Sequence, residues 1–220
     1  MNNQAIKYEI IENVGIIKGA NHPVNALSYQ VRKGLIDALQ LFLKDDNIKG
    51  IILYGEGRTF FAGADISEFG KPMQSPNLND VIFEFENSNK PIVAALHGTP
   101  LGGGLELAMG CNYRVALSNT KLGLPEVNLG IIPGAGGTQR LPRLAGIEKA
   151  LSMITSGVPI NAKDALNSGI VEEVFPDNLI ENAMNFIKSK LNLDSHPVAS
   201  KLSQKVSNIQ NEIFENFSNK

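Results

Sequence analysis

Apolar residues near the start of the chain form two short runs, which are followed by one helical pattern. Residues 6–11 and 14–18 are β-rich runs, and the polar pair between them predicts a hairpin. After Ser28, the expected N-cap, apolar residues recur every three or four positions as far as Phe42. This spacing predicts an amphipathic helix directly after the hairpin.

Two continuous apolar runs, at residues 50–54 and 91–96, are typical of strands that are buried on both faces of a sheet. Residues 78–87 between them predict a helix. A buried strand, a helix and a second buried strand in this order predict α/β units.

The second half of the chain is predicted as short helices and strands around a turn-rich stretch at residues 125–137. The predicted helices are 104–112, 147–156, 162–167 and 177–191, and the predicted strands are 114–117 and 170–175. Asn161 and Asp164 predict a capped helix start, and Gly169 predicts its end. A polar tail at residues 200–219 keeps a helical spacing of apolar residues and therefore predicts a helix that needs a partner surface. We divide the chain into a core domain, residues 1–190, and a C-terminal helical segment, residues 191–220.

Composition narrows the class of protein. The 220 residues are 43% hydrophobic and 19% charged, with a net charge of −2, so neither a nucleic-acid footprint nor an anionic membrane surface is indicated. The lone Cys111 cannot form an internal disulfide, and no zinc motif is present. The sequence contains no signal peptide, no apolar run of about 20 residues and no peroxisomal SKL-type ending, which predicts a cytoplasmic protein.

Three consecutive glycines, Gly102 to Gly104, precede a predicted helix and raise the question of a phosphate-binding loop. A GxGxxG motif that starts at Gly102 would need a third glycine at Leu107, and one that starts at Gly134 would need it at Gln139. Neither has an acidic ribose partner on a following strand, so nucleotide binding is poorly supported. The alternative is an oxyanion site, because backbone N–H groups at a helix start are unpaired and glycine lets a ligand oxygen approach them.

Two glutamates are the candidates for acid–base chemistry. Glu106 lies in the first turn after the glycines, and Glu126 follows Pro125 in another turn. Two carboxyls around one water could take one proton and deliver another. The simpler alternative for either acid is a favourable interaction with its own helix dipole. Ion pairs are the simplest role for the arginines Arg114 and Arg140.

The segments FAGADI (61–66), LGGGLELAMGC (101–111) and GLPEVNLGIIPGAGGTQRLPR (123–143), in this order and spacing, resemble the enoyl-CoA hydratase, or crotonase, family. PVNALS and GGGLELAMGCNYR are most similar to the hydratase portion of multifunctional β-oxidation enzymes. The resemblance implies an α/β fold, a crotonase-like superhelix of repeated ββα units. By comparison with the family, we expect its helical C-terminal region to be truncated.

The resemblance also assigns roles to individual residues. It implies an oxyanion hole formed by the N–H groups of Ala64 and Gly103, and it makes Glu106 and Glu126 the catalytic acids. The family's substrate and CoA contacts correspond to Pro23, Val24, Asn25, Ala62, Gly63, Asp65, Ile66 and Gly102. We expect no metal, and no cofactor beyond the coenzyme A that is part of the substrate.

The activity implied is reversible hydration of trans-2-enoyl-CoA to 3-hydroxyacyl-CoA in fatty-acid β-oxidation. The alternatives are a Δ3,Δ2-enoyl-CoA isomerase, an enzyme with both activities, and a non-catalytic scaffold that binds CoA esters. The expected partner is an acyl-CoA thioester. A homo-oligomer (a trimer or a dimer of trimers) is a further expectation, as is a fragment of a longer multifunctional chain.

Overall fold

A computed structural model describes residues 5–68, 70–207 and 213 of the chain. The strands in the described part are β1 (Ile6–Ile11), β2 (Val14–Gly19), β3 (Gly50–Gly55), β4 (Ile92–Leu96), β5 (Tyr113–Leu117), β6 (Lys121–Leu122), β7 (Ile160–Asn161) and β8 (Glu173–Phe175). The α-helices are α1 (Tyr29–Lys44), α2 (Leu78–Glu86), α3 (Gly103–Met109), α4 (Gly137–Ala145), α5 (Ile147–Ser156), α6 (Ala162–Ser168) and α7 (Leu179–Lys190).

The main sheet is almost entirely parallel, with the strand order β1-β2-β3-β4-β5-β8. β1 and β2 form the predicted antiparallel hairpin, and every later neighbour in the sheet is parallel. The strands β3 and β4 are buried along nearly their whole length, as their continuous apolar sequences predict. The α/β class is therefore confirmed.

A second, shorter layer of extended segments follows the main strands. Leu27, in the segment after β2, pairs with Ala64, in the segment after β3. In the same way Leu101, after β4, pairs with Gly123, after β5 and β6. A strand, a short extended segment and a helix thus recur along the chain, which agrees with the ββα units that the resemblance implies. Among the described residues, no such pairing joins the Ala64 segment to the Leu101 segment.

The core has two parts, one on each face of the main sheet. Alternate residues of a strand point to opposite faces, so Ile17 packs with α1 on one face while Ile16 packs with α7 on the other. The larger part also contains the aromatic side chains of Phe42, Phe60 and Phe85. Helix α7 packs against β3 and β4, while α2 packs between α1 and α3 on the other face.

Several local predictions differ from the structure. Helix α4 was not predicted, because its glycine start and internal Pro142 are typical of turns; the burial of Leu141 and Leu144 compensates for them. The strand predicted at residues 170–175 is shorter, since only Glu173–Phe175 pairs with β5. Ser28 is the N-cap residue, but the carboxylate of Glu68 accepts the hydrogen bond from the N–H of Tyr29.

The predicted C-terminal helix is wrong over residues 200–207, which form the end of a 3₁₀ turn, Ala199–Lys201, followed by a further turn. Ile213 is helical, while residues 208–212 and 214–220 of that prediction lie outside the described residues. The segment from residue 191 packs back on the core: Asn112 donates a hydrogen bond to the carbonyl of Pro197, and Tyr113 bonds to His196. The division into residues 1–190 and 191–220 stays a prediction.

Candidate active site

A cleft of about 1130 Å³ lies where the Ala64 and Leu101 segments adjoin, and residues of both segments line it. The predicted site residues that line it are Ala62, Gly63, Ala64, Asp65, Ile66, Gly102, Gly103, Glu106 and Glu126. The structure thus brings together both predicted acids and both predicted backbone donors. Pro23, Val24 and Asn25 lie outside the lining of the cleft.

The loop at residues 23–25 bonds to the segment at residues 56–62, which leads into the cleft. Asn25 is buried, and its side-chain amide donates hydrogen bonds to the carbonyls of Glu56, Thr59 and Phe60. The carbonyl of Val24 accepts a hydrogen bond from Ala62. These contacts hold the FAGADI segment in place, and a direct CoA contact of this loop stays a prediction.

The backbone N–H groups of Ala64 and Gly103 are two free donors in the lining of the cleft. The neighbouring N–H groups are used: Gly102 donates to Gly123, and Gly104 donates to Leu101. No acceptor within the described residues receives a hydrogen bond from the N–H of Ala64 or Gly103. A β-carbon on Gly103 would lie 3.4 Å from the nitrogen of Ala64, so the two donors are close neighbours.

Glu106 is 2% exposed and is held by one of its two oxygens. Its Oε1 accepts hydrogen bonds of 2.8 Å from the N–H groups of both Ala135 and Gly137. Burial raises the pKa of Glu106, while these two donors and the charge of Arg140 oppose that rise. No described residue donates to its Oε2. The bonds come from another segment rather than from α3, so a simple helix-dipole role does not describe this acid.

Glu126 begins a 3₁₀ turn, Glu126–Leu129, on the other side of Gly102. Its Oε1 would lie 3.1 Å from a β-carbon on Gly102, whose φ is +51°. Its Oε2 is enclosed and has no partner among the described residues. Burial raises the pKa of Glu126 to about 7, and the charge of Glu106 adds to the rise. The two acids are therefore electrostatically coupled across the cleft.

Residues 66–68 and 70–76 form one wall of the cleft, and Arg32 holds it. The guanidinium of Arg32 pairs with Glu68 and donates to the carbonyls of Leu27 and Pro76. Apolar side chains from both sides complete the lining: Met73, Leu78, Leu101, Leu129, Ile131 and Ile132. This wall comes directly after the FAGADI segment in the chain, and the sequence did not predict that Arg32 holds it.

The remaining candidate residues have structural contacts. Arg114 pairs with Glu172, which confirms the predicted ion pair. Asp65 also lines the cleft, and its carboxylate accepts a hydrogen bond from the N–H of Ser67, as a turn former does. Burial raises the pKa of Cys111 to about 12, so its thiol is a core group.

The residues that we missed are Ala135 and Gly137, which hold Glu106. Their signal was the PGAGG sequence at residues 133–137, whose repeated glycines leave backbone N–H groups accessible. Within the described ranges, no cluster of three or more His, Cys, Asp or Glu side chains is arranged to hold a metal ion. The described helices are all too short or too polar to cross a membrane.

Fold and cleft together define an α/β protein that has two backbone donors and two coupled acids in one cleft. The family model for enoyl-CoA hydratase/isomerase matches residues 9–213. The chain belongs to the enoyl-CoA hydratase/isomerase family.

Individual relatives agree with this assignment. The chain is 45% identical over 181 residues to a peroxisomal bifunctional enzyme of Danio rerio, a match that covers 82% of this chain and 25% of the relative. It is 47% identical over 174 residues to a protein of Bacillus subtilis (strain 168) named "Probable enoyl-CoA hydratase", covering 76% of this chain and 67% of the relative. The crystal structure of an enoyl-CoA hydratase from Bacillus anthracis superposes with a TM-score of 0.78 at 35% identity, covering 86% and 76% of the two chains.

The chain spans about a quarter of the length of the bifunctional relative that it matches. That relative is named as peroxisomal, so the cytoplasmic location stays a prediction for this chain.

Proposed function

We propose that this protein reversibly hydrates trans-2-enoyl-CoA thioesters to 3-hydroxyacyl-CoA. The observation that carries the proposal is the meeting of two free backbone donors, Ala64 and Gly103, with two acids, Glu106 and Glu126, in one cleft. Its family membership and the names of its relatives support the same reaction.

The two donors would bind the thioester carbonyl oxygen. During addition to a conjugated thioester, negative charge moves onto that oxygen as the enolate forms. Preorganised N–H groups stabilise such a charge, and the loss of one donor typically raises the barrier by about 3–4 kcal/mol. The acyl chain then extends along the apolar side chains of the cleft, and coenzyme A enters as part of the substrate.

The two acids would hold one water above the double bond. An O–H bond of water breaks as its oxygen bonds to C3, and a proton is delivered to C2 as the enolate collapses. One carboxylate accepts the proton of water and the other carboxyl supplies the proton to C2, with the roles reversed for dehydration. The raised pKa values of Glu106 and Glu126 favour a pair in which one member is protonated.

The test is the loss of absorbance of the conjugated thioester of crotonyl-CoA, run beside an assay for isomerisation of a 3-enoyl-CoA. We expect hydration by the wild type, and kcat lower by roughly 10²–10⁴-fold for Glu106→Gln and for Glu126→Gln. Glu148→Gln, on α5, is the matched control and keeps wild-type activity. Full activity of Glu106→Gln would defeat the mechanism, and CoA-ester binding without either turnover would establish the scaffold alternative.

The oligomeric expectation belongs to the same proposal. A trimer or a dimer of trimers is the assembly that the family resemblance implies. Sedimentation velocity of the purified chain distinguishes these from a monomer.

A further inference from the structure

Arg140 connects the acid Glu106 to a second, remote carboxylate. Its side chain is 12% exposed, and its Nε and Nη2 donate to the two oxygens of Glu86 at 3.1 and 2.8 Å. Its Nη1 donates to the carbonyl of Ala135 at 3.1 Å. The N–H of this same residue donates to Glu106. A continuous series of contacts therefore runs from Glu86 through Arg140 and Ala135 to Glu106.

The guanidinium also packs against the turn that holds Glu106. Gly136 lies between the two donors of that turn, has a φ of +91°, and could not carry a β-carbon without overlap with Nη1 of Arg140. On its far side, Glu86 ends α2 and accepts a further hydrogen bond from the N–H of Ser200. A planar guanidinium that is paired with both oxygens of a fixed carboxylate has little freedom to rotate.

We propose that Arg140, anchored by Glu86, is a positioning residue for Glu106, because it fixes the turn whose two N–H groups bind Oε1 and thereby leaves Oε2 free for the water. This rests on the proposed hydration, in which Glu106 contacts the reacting water and Arg140 does not. The arrangement fixes both the direction and the charge of the acid.

The charge effect follows from the groups that face Glu106. Glu126 lies across the cleft, Arg140 lies behind the turn, and Glu86 partly neutralises Arg140. Burial raises the pKa of Glu106 and the guanidinium opposes that rise. Removal of the guanidinium therefore moves the pKa of Glu106 further upward.

The experiment compares Arg140→Met, Arg140→Lys and Glu86→Gln with the wild type. Arg143→Met is the matched control, because Arg143 is a partly exposed arginine on the same helix and bonds to Gln139 rather than to the turn at residues 135–137. We expect Arg140→Met to lower kcat by roughly 10- to 100-fold while KM stays within about threefold, the size of effect that a small misplacement of a reacting group produces. Arg140→Lys keeps the positive charge but lacks the planar guanidinium that pairs with both oxygens of Glu86. Compared with Arg140→Met, it should therefore have a pH profile closer to that of the wild type and recover only part of the lost kcat.

Two further measurements separate positioning from a merely structural role. In a Glu106→Gln background, Arg140→Met should add little to the loss of kcat, because both changes act on the same acid. Titration of the ¹³C-labelled Glu106 carboxyl by NMR, assigned with Glu106→Gln, should give a higher pKa in Arg140→Met than in the wild type. This titration needs no turnover, so it tests the positioning of Glu106 even if the wild type hydrates no enoyl-CoA and the proposed function fails.

The proposal is overturned if Arg140→Met leaves kcat and the Glu106 titration unchanged, or if its loss of kcat is fully additive with that of Glu106→Gln. If Arg140→Met does not fold, the same NMR titration of Glu106 in Arg140→Lys and Glu86→Gln tests the proposal.

Discussion

Gly104 lies so close to Phe61 that a β-carbon on the glycine would overlap the carbonyl oxygen of Phe61. The adjacent Gly103 has a different neighbour. A β-carbon there would lie 2.7 Å from the flexible end of Leu78 and 3.4 Å from the nitrogen of Ala64. Gly104 thus permits the close packing of two backbone segments, and Gly103 leaves space in front of the N–H of Ala64.

This difference predicts opposite behaviour for two alanine substitutions. Gly104→Ala should prevent folding, because backbone cannot move aside as a side chain can. Gly103→Ala should fold, since Leu78 can rotate, but its methyl group enters the space where the thioester oxygen binds. We expect kcat to fall by roughly 10²–10³-fold in Gly103→Ala, measured with crotonyl-CoA on protein of verified circular dichroism. Wild-type kcat in Gly103→Ala would exclude the proposed donor.

Glu126 makes the stability of the protein depend on pH. Burial raises its pKa to about 7, so the folded chain keeps this proton between pH 4.5 and 7, where the unfolded chain releases it. Its contribution to stability is complete below pH 4.5 and is lost as the pH rises through 7. In Glu126→Gln the side chain is uncharged at every pH, so this contribution to stability does not change with pH.

We therefore expect the free energy of unfolding of the wild type to fall relative to Glu126→Gln between pH 4.5 and 7.5. The difference should be roughly 1 kcal/mol, reduced by solvent screening of a half-buried group. Urea unfolding at several pH values measures it. A constant difference between the two proteins over this range would show that the carboxyl has an ordinary pKa.

Arg32 should control the binding of the acyl chain rather than the chemistry. Its contacts with Glu68 and with the carbonyl of Pro76 fix the wall at residues 66–68 and 70–76. Arg32→Met removes these charge-assisted hydrogen bonds, each worth about 1.5–3 kcal/mol, and releases the wall. We expect KM for long-chain enoyl-CoA to rise about tenfold with kcat nearly unchanged, while Lys33→Met, at the exposed neighbouring position, behaves as the wild type. A fall of kcat at constant KM would contradict this role.

Arg114 should matter for stability alone. It is 1% exposed and bonds to Glu172 and to the carbonyls of Cys111 and Ile170, which joins β5 to the segment before β8. Breaking a buried pair costs about 3 kcal/mol or more, so Arg114→Met should lower Tm by roughly 6–12 °C. Differential scanning calorimetry checks this, and the kcat of the folded fraction should remain that of the wild type.

Much of the fold could be predicted from local patterns. The hairpin, the buried strands β3 and β4 and the capped start of α6 follow from apolar runs and from Asn161, whose side chain accepts the bond from Asp164 as expected. Helix α4 could not be predicted, because Pro142 and the glycines before it are unfavourable locally and only burial against the core compensates. The turn at residues 200–207 has a helical apolar spacing that the tertiary contacts override.

For the site, the sequence supplied the residues but not their connections. Glu106 and Glu126 are twenty positions apart, and only the family resemblance suggested that they meet. The ties that fix them, from Ala135, Gly137 and Arg140, depend on contacts between distant segments, which no local pattern encodes. Asn25 has a role that the sequence did not indicate: its amide holds three backbone carbonyls, while the CoA contact that the resemblance implies for this loop stays a prediction.

The main-chain donors of Ala64 and Gly103 have a consequence for how the activity of such a protein can change by substitution. Both donors are main-chain atoms, so among single substitutions only one to proline, which has no N–H, removes a donor outright. Glu106 and Glu126, in contrast, can each be replaced by a single substitution. With the donors acting as proposed, one backbone can keep binding a thioester while substitution of the acids changes the reaction performed on it.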